Sequence, residues 1–196
     1  MMIELTSTPI ILMVILGVAG MIIPVINVLR RERGSSTFYG AIAFGALLLA
    51  LGFVIFQFYD DNLAPAAVFS EDVLADDGFG SFFAIAMLIV SIMTVAGSFN
   101  YMRKRSNPAI YFSLILLSSI GMVLIAFATD LVMLFVAWEL MSIPTYILAG
   151  FNKKNPSSNE AAIKYFLFGA LSSGIIIYGI SLAYGITGST NIGDVI

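Results

Sequence analysis

The sequence contains no cysteine and no histidine, and only 11% of its residues are charged. Without thiolates and imidazoles it lacks the usual protein ligands of iron–sulfur clusters, haem iron, structural zinc and copper. We therefore expect no cofactor and no metal site in this chain, and any coupled redox chemistry should take place on other chains. With nine Lys and Arg against twelve Asp and Glu, the composition gives no support to nucleic-acid binding.

Apolar residues dominate what is present, because 60% of the chain is hydrophobic and its mean hydropathy is +1.01. Six apolar runs of about 20 residues are long enough to cross a bilayer as helices. We predict an all-α, polytopic membrane helix bundle that forms a single membrane domain over residues 1–196. The predicted helices cover about 9–29, 38–58, 81–101, 109–129, 131–151 and 161–184.

The distribution of positive charge predicts the orientation of these helices. All nine Lys and Arg fall in or beside alternate connections, around residues 30–33, 103–105 and 153–164. Cytoplasmic loops of membrane proteins carry an excess of Lys and Arg. We therefore predict a multi-pass protein of the cytoplasmic membrane with both termini outside, and the acidic 59–80 connection on the outer side.

Glu139 is the one charged residue within the fifth apolar run, LVMLFVAWELMSIPTYILAGF, which covers residues 131–151. At about 1.5 Å per residue, it lies about 12 Å from the start of the run and about 18 Å from its end. A carboxylate at that depth costs about 2.5 to 3.5 kcal/mol on insertion scales, so such residues usually face a protein interior or a water-filled path. Glu139 is therefore the first candidate for a functional residue.

Three interpretations of Glu139 remain open from the residues alone. It could relay protons or couple proton movement to another event, as ionisable residues inside membrane proteins often do. It could bind a different ion. It could also be a protonated acid that hydrogen-bonds a neighbouring helix and serves assembly only.

Several residues around the fifth helix are predicted to fix its ends and shape. Asp130 directly precedes the run and follows the fourth helix without a loop, which predicts a helix cap and a tight antiparallel hairpin. Pro144 removes one backbone donor just after Glu139 and frees the carbonyl of Leu140, which predicts a local kink.

The sixth helix is predicted to begin with a capping box in which Ser157 is the N-cap and Glu160 is its acidic partner. Glu160 also lies four residues before Lys164, in the order that favours an ion pair on one helix face. Lys164 lies close to the inner end of its helix, whereas Glu139 lies about 18 Å from the inner end of its own. We therefore expect no direct pair between Lys164 and Glu139.

Small residues recur at four-residue spacing in two helices and predict close helix packing. They are Ala41 and Gly45 in the second helix, and Gly169, Ala170, Ser173 and Gly174 in the sixth.

Three stretches of the sequence, WELMSIPTYILAGF, PSSNEAAIKYFLFGALSSG and YGISLAYGITGS, resemble subunit N of complex I. The resemblance is close over about residues 115–190, whereas the first three helices agree mainly in number, length and orientation. Subunit N belongs to the antiporter-like membrane subunits found in complex I, in its chloroplast, cyanobacterial and archaeal deazaflavin-oxidising relatives, and in multisubunit sodium/proton antiporters.

The resemblance implies a proton-translocating subunit of a complex I-like oxidoreductase, without a redox centre of its own, that works with other membrane subunits in the lipid bilayer. It implies that Glu139 pairs with a lysine on the seventh helix of the family, and that Lys164 lies near the inner proton-entry route. The family has about fourteen helices, with inverted repeats after three leading helices. This sequence therefore corresponds to the amino-terminal portion, and the seventh-helix lysine lies outside it.

Two other functions are compatible with the same residues. The chain could be the ion-binding half of a sodium/proton antiporter complex, with Glu139 as an ion ligand. It could also be a purely structural membrane module in which Glu139 only holds helices together.

Overall fold

The computed structural model describes residues 7–30, 35–59, 73–103 and 105–196. Much of the predicted 59–80 connection, part of the arginine cluster after the first helix and Lys104 lie outside the described residues. The described chain is almost entirely helical, and six of its helices are long and apolar enough to span a membrane. The predicted all-α membrane bundle with six spans is confirmed.

The six spans are α1 (Thr8–Leu29), α2 (Ser36–Tyr59), α3 (Gly78–Met102), α4 (Pro108–Phe127), α5 (Leu131–Ala149) and α6 (Pro156–Thr187), and a short α7 (Ile192–Val195) follows them. α4 ends at Phe127, because residues 128–130 turn the chain directly into α5. α6 is 32 residues long and begins five residues before the predicted start. Its first residues are polar, so hydropathy alone places the helix start too late.

α4 is the central helix of the bundle and packs against α1, α2, α3 and α5. Its side chains are mostly buried, unlike those of any other span. Three serines of α4 tie it to its neighbours: Ser113 Oγ donates to the Gly20 carbonyl in α1, Ser119 Oγ to Ser91 Oγ in α3 at 2.9 Å, and Ser118 Oγ to the Met141 carbonyl in α5 at 3.0 Å. Polar groups of this kind join helices where lipid removes the hydrophobic driving force for association.

The predicted tight hairpin between α4 and α5 is present, and a glycine explains how closely the helices approach. A Cβ atom added at Gly121 would lie 2.3 Å from the Met141 nitrogen and 2.7 Å from the Ala137 carbonyl oxygen. Only glycine fits there, because both atoms belong to the α5 backbone. Among the predicted small residues, Gly169 packs against Tyr146, whereas an added Cβ at Gly45 or Gly174 would meet nothing described within 4 Å apart from the adjoining residues and backbone of its own helix.

The described helix ends are held together at the end of the bundle that carries Asp76, Asp77, Asp130 and Asp194, which we call the acidic end. Asp76 Oδ2 accepts from Thr8 N at 2.8 Å and Asp77 Oδ1 from Gly80 N at 2.7 Å. The segment after α6 returns to this end, where Leu131 N donates to the Thr190 carbonyl at 2.8 Å. The opposite end carries Arg30, Arg103, Arg105, Lys153 and Lys154, and we call it the basic end.

Two predicted helix caps have different outcomes. Asp130 is the N-cap of α5, as predicted, and its Oδ1 accepts from Val132 N and Met133 N at 2.8 and 3.0 Å. Ser157 is not the N-cap of α6. Asn155 has that role and accepts from Ser157 N at 3.1 Å. Pro156 explains the difference, because proline is favoured in the first helical turn and has no N–H that needs a cap.

Candidate functional site

Glu139 lies on the side of α5 that faces α6, and its side chain is half-buried. Ser173 of α6 donates a hydrogen bond from its hydroxyl to Glu139 Oε1. Hydrogen bonds to charged groups contribute about 1.5–3 kcal/mol. No Lys or Arg of the described residues forms a salt bridge with Glu139. Among the described residues, the hydrogen-bond partner of the Glu139 carboxylate is therefore the neutral hydroxyl of Ser173.

The seam between α5 and α6 carries polar and aromatic groups on the basic side of Glu139. Thr145 Oγ1 lies 3.3 Å from Tyr165 OH. Tyr146 stacks edge-on against Tyr165, with ring centroids 4.9 Å apart, and its hydroxyl end lies over Gly169. A Cβ at residue 169 would meet the Tyr146 ring, so this glycine allows the ring to lie between the helices. The Thr145 and Tyr165 hydroxyls therefore lie on this seam, nearer the basic end than Glu139.

Lys164 forms an ion pair with Glu160, with 2.5 Å between Nζ and Oε1, as the spacing of the two residues predicts. Both side chains are about two-thirds exposed, which makes the pair a weak contributor to stability. Lys164 lies nine residues before Ser173, which is about 13 Å along the helix axis. The expectation that Lys164 and Glu139 do not pair is met.

Pro144 lies within α5, one turn beyond Glu139, and the helix continues through it from Leu131 to Ala149. Hydroxyl groups on both sides of the proline bond backbone carbonyls that precede it: Ser142 Oγ donates to the Trp138 carbonyl and Thr145 Oγ1 to the Ser142 carbonyl. Neither of these two bonds reaches the Leu140 carbonyl, which is the group that Pro144 frees. The kink itself stays a prediction.

Sequence reasoning found Glu139 but missed the role of the Ser173 hydroxyl. Ser173 was identified only as a small packing residue, because spacing within one helix does not reveal which way it is rotated relative to its neighbour. The hydroxyls of Thr145 and Tyr165 were missed for the same reason. In the described part of the chain, no three His, Cys, Asp or Glu side chains come together as a possible metal site.

α6 presents most of its surface to the outside of the described bundle. It packs against α5 and α7, and none of its residues is buried. Large apolar side chains cover this surface, for example Phe168 and Ile175, which are 70% and 65% exposed. The pair of Glu139 and Ser173 therefore lies at the edge of the described bundle, beneath one exposed helix.

The sequence is similar to membrane subunits of known respiratory complexes. Residues 128–196 match the family described as NADH:quinone oxidoreductase/Mrp antiporter, TM. NADH-quinone oxidoreductase subunit N of Trichlorobacter lovleyi is 38% identical over 185 residues, which cover 93% of this chain and 36% of the relative. F(420)H(2) dehydrogenase subunit N of Methanosarcina mazei is 38% identical over 125 residues, which cover 64% of this chain and 25% of the relative.

Two solved structures share the fold. A chain of respiratory complex I from Thermus thermophilus superposes with a TM-score of 0.75 at 28% identity, and the match covers 93% of this chain and 38% of that one. A chain of a membrane-bound sulfane sulfur reductase, an archaeal respiratory membrane complex, has a TM-score of 0.78 at 22% identity over 95% of this chain and 39% of that one. This sequence spans little more than a third of the length of these relatives.

Proposed function

Because this chain is homologous to the antiporter-like subunit N of NADH-quinone oxidoreductases, we propose that it is the amino-terminal portion of a proton-translocating membrane subunit. It would work within a respiratory oxidoreductase complex of the cytoplasmic membrane, beside other membrane subunits. The electron donor would be NADH or a reduced deazaflavin, and the acceptor a quinone-type molecule. Electron transfer would take place on other subunits, because this sequence has no cysteine or histidine to hold a redox centre.

The observation that carries the proposal is the position of Glu139, a carboxylate near the middle of α5 whose described partner is the Ser173 hydroxyl. Glu139 would take up and release protons while the complex turns over. A positive charge moving close to Glu139 would stabilise its carboxylate, and withdrawal of that charge would favour protonation. Ser173 would hold one carboxylate oxygen in place while this charge changes.

Lys164 would act near the entrance on the basic side, where its ammonium pairs with Glu160. By the positive-inside rule the basic end is cytoplasmic, and both termini would lie outside. The Thr145 and Tyr165 hydroxyls lie on the seam between this end and Glu139. These positions support a route along α5 and α6, with Lys164 at one end and Glu139 at the other.

A second candidate is the ion-binding half of a multisubunit sodium/proton antiporter, because the matching family description includes Mrp antiporters. The same carboxylate would then bind sodium. The similarity to subunit N, which is 38% identical over an alignment that covers 93% of this chain, favours the oxidoreductase.

The two candidate functions can be distinguished by whether ion movement requires sodium. The complete complex, purified and reconstituted in proteoliposomes, would be supplied with electron donor and quinone with sodium present or replaced by potassium. We expect proton uptake driven by electron transfer to be independent of sodium and to fall strongly in Glu139→Gln. Ion movement that requires sodium and no electron donor would favour the antiporter instead.

A further inference from the structure

A cleft of about 660 Å³ opens at the basic end, between the α3–α4 connection and the α5–α6 connection. Three of its lining residues are cations, Arg105, Lys153 and Lys154, and none is acidic. None of the three forms a salt bridge with a carboxylate of the described residues. Positive residues are common at this end of any membrane protein. What distinguishes these three is that two separate connections bring them to one cleft.

The wall of the cleft continues into apolar surface on two neighbouring helices. Ile110 in the first turns of α4 and Ile147 in the last turn of α5 line it, and their side chains are 45% and 49% exposed. The cleft therefore combines a cationic rim with apolar walls at the level where a membrane helix leaves the hydrocarbon. A ligand that fits both parts is amphipathic, with an anionic headgroup and an apolar chain.

Aromatic rings hold the two sides of the cleft in a fixed relation. The Arg105 guanidinium lies 4.0 Å from the centroid of the Tyr101 ring. Tyr101 lies 5.9 Å from Tyr111, and Tyr111 lies 5.2 Å from Phe151, measured between ring centroids. This series runs from α3 through α4 to the connection that carries Lys153. These contacts connect the side of the cleft that carries Arg105 to the side that carries Lys153 and Lys154.

Hydrogen bonds also order the α5–α6 connection. Asn159 Nδ2 donates to the Lys153 carbonyl at 3.1 Å, and Asn155 N donates to the Asn152 carbonyl at 2.9 Å. Ser158 Oγ donates to the Ala149 carbonyl at 2.8 Å, which joins the start of α6 to the end of α5. The backbone that positions Lys153 and Lys154 is therefore ordered before any ligand binds.

The start of α4 adds a further anion-favouring feature to the cleft. Asn107, which lines the cleft, precedes α4 with a left-handed backbone at φ 61°, and its side chain makes no cap hydrogen bond. The positive end of the helix dipole and the uncapped first turn favour a negative group at this position. Together with the three cations, this makes a phosphate the natural headgroup for the cleft.

We propose that this cleft binds an anionic phospholipid, with its phosphate among Arg105, Lys153, Lys154 and Asn107 and an acyl chain along Ile110 and Ile147. The lipid would join the α3–α4 connection to the α5–α6 connection at the basic end of the bundle. The proposal is independent of proton translocation, and its test does not measure transport.

The test uses the full chain, purified in mild detergent and mixed with phosphatidylglycerol or phosphatidylcholine of the same acyl chains. Native mass spectrometry measures how much of each lipid stays bound. Arg105→Gln and the double variant Lys153→Gln/Lys154→Gln remove cations from the cleft. Arg30→Gln is a matched control, because Arg30 is another basic-end arginine, 4.4 Å from the Phe38 ring centroid and outside the cleft lining. Circular dichroism confirms that each variant keeps its helices.

We expect phosphatidylglycerol to be retained over phosphatidylcholine, with binding weakened about fivefold for each cation removed from the cleft. Arg30→Gln should bind as the unchanged chain does, and millimolar inorganic phosphate should not displace the lipid. Equal retention of the two lipids would overturn the proposal, as would an equal loss in Arg30→Gln and Arg105→Gln. Displacement by inorganic phosphate would assign the cleft to a free anion instead.

Discussion

The hydroxyl of Ser173 in α6 donates a hydrogen bond to the carboxylate of Glu139 in α5, and this is the contact on which the proposed function depends. The two residues are 34 positions apart in sequence and belong to helices that run in opposite directions. The contact places the Glu139 carboxylate on the α5–α6 seam, and the Thr145 and Tyr165 hydroxyls lie on the same seam nearer the basic end.

Removal of the Ser173 hydroxyl should impair function without unfolding the bundle. Ser173→Ala removes a donor to the carboxylate worth about 1.5–3 kcal/mol, whereas the α6 surface there is otherwise open. We expect electron-driven proton uptake by the complete complex, measured in proteoliposomes, to fall about tenfold, because the Glu139 carboxylate loses the partner that holds one of its oxygens. Ser173→Thr keeps the hydroxyl and should retain most of the rate; equal losses in both variants would show that the hydroxyl does not matter.

The corrected cap of α6 can be tested with two neighbouring alanine substitutions. Asn155→Ala removes the side chain that accepts from Ser157 N, and it should lower the free energy of unfolding by about 1 kcal/mol. Ser157→Ala should change it by much less, since its backbone N–H rather than its side chain takes part in the cap. Unfolding of the purified chain in mixed detergent micelles measures both. If Ser157→Ala lowered the free energy of unfolding more than Asn155→Ala does, Ser157 would be the N-cap, as the sequence predicts.

The close approach of α4 and α5 depends on Gly121. Gly121→Ala places a methyl group against the α5 backbone, which cannot move as a flexible side chain can, and should destabilise the chain by about 1–3 kcal/mol. Gly45→Ala is the matched control, because an added Cβ there would meet nothing described within 4 Å apart from the adjoining residues and backbone of its own helix. The same detergent unfolding measurement should show little change in the control. If the two alanine variants are equally stable, the close contact at Gly121 is not as the structure has it.

Much of the fold follows from the sequence, because length and hydropathy alone define a membrane-spanning helix. The six spans, the Asp130 cap and the Glu160 and Lys164 pair depend on residues close together in sequence, and the structure contains all of them. The start of α6 differs from its prediction because its first turn and its Asn155 cap are polar, and a prediction from hydropathy detects only apolar residues.

Contacts between helices were harder to predict, because most faces of these helices are apolar and no periodicity distinguishes the packed face from the lipid-facing one. Gly45 and Gly174 fit a small-residue spacing and yet have open space beside them, whereas Gly121 makes the tight contact. The rotation of α6 relative to α5 decides that Ser173 meets Glu139 and that Tyr146 packs on Gly169, and no local sequence motif indicates this rotation.

The most direct test of the central claim, that Glu139 carries protons, is the number of protons taken up per electron by the complete complex with Glu139→Gln. Glutamine keeps the size and hydrogen-bonding capacity of the side chain but cannot bind and release a proton. Asp194→Asn removes a carboxylate from the acidic end, where Asp194 accepts from Ser189 Oγ at 2.6 Å, and it is the control. We predict a lower ratio in Glu139→Gln and an unchanged ratio in Asp194→Asn; an unchanged ratio in Glu139→Gln would contradict the account.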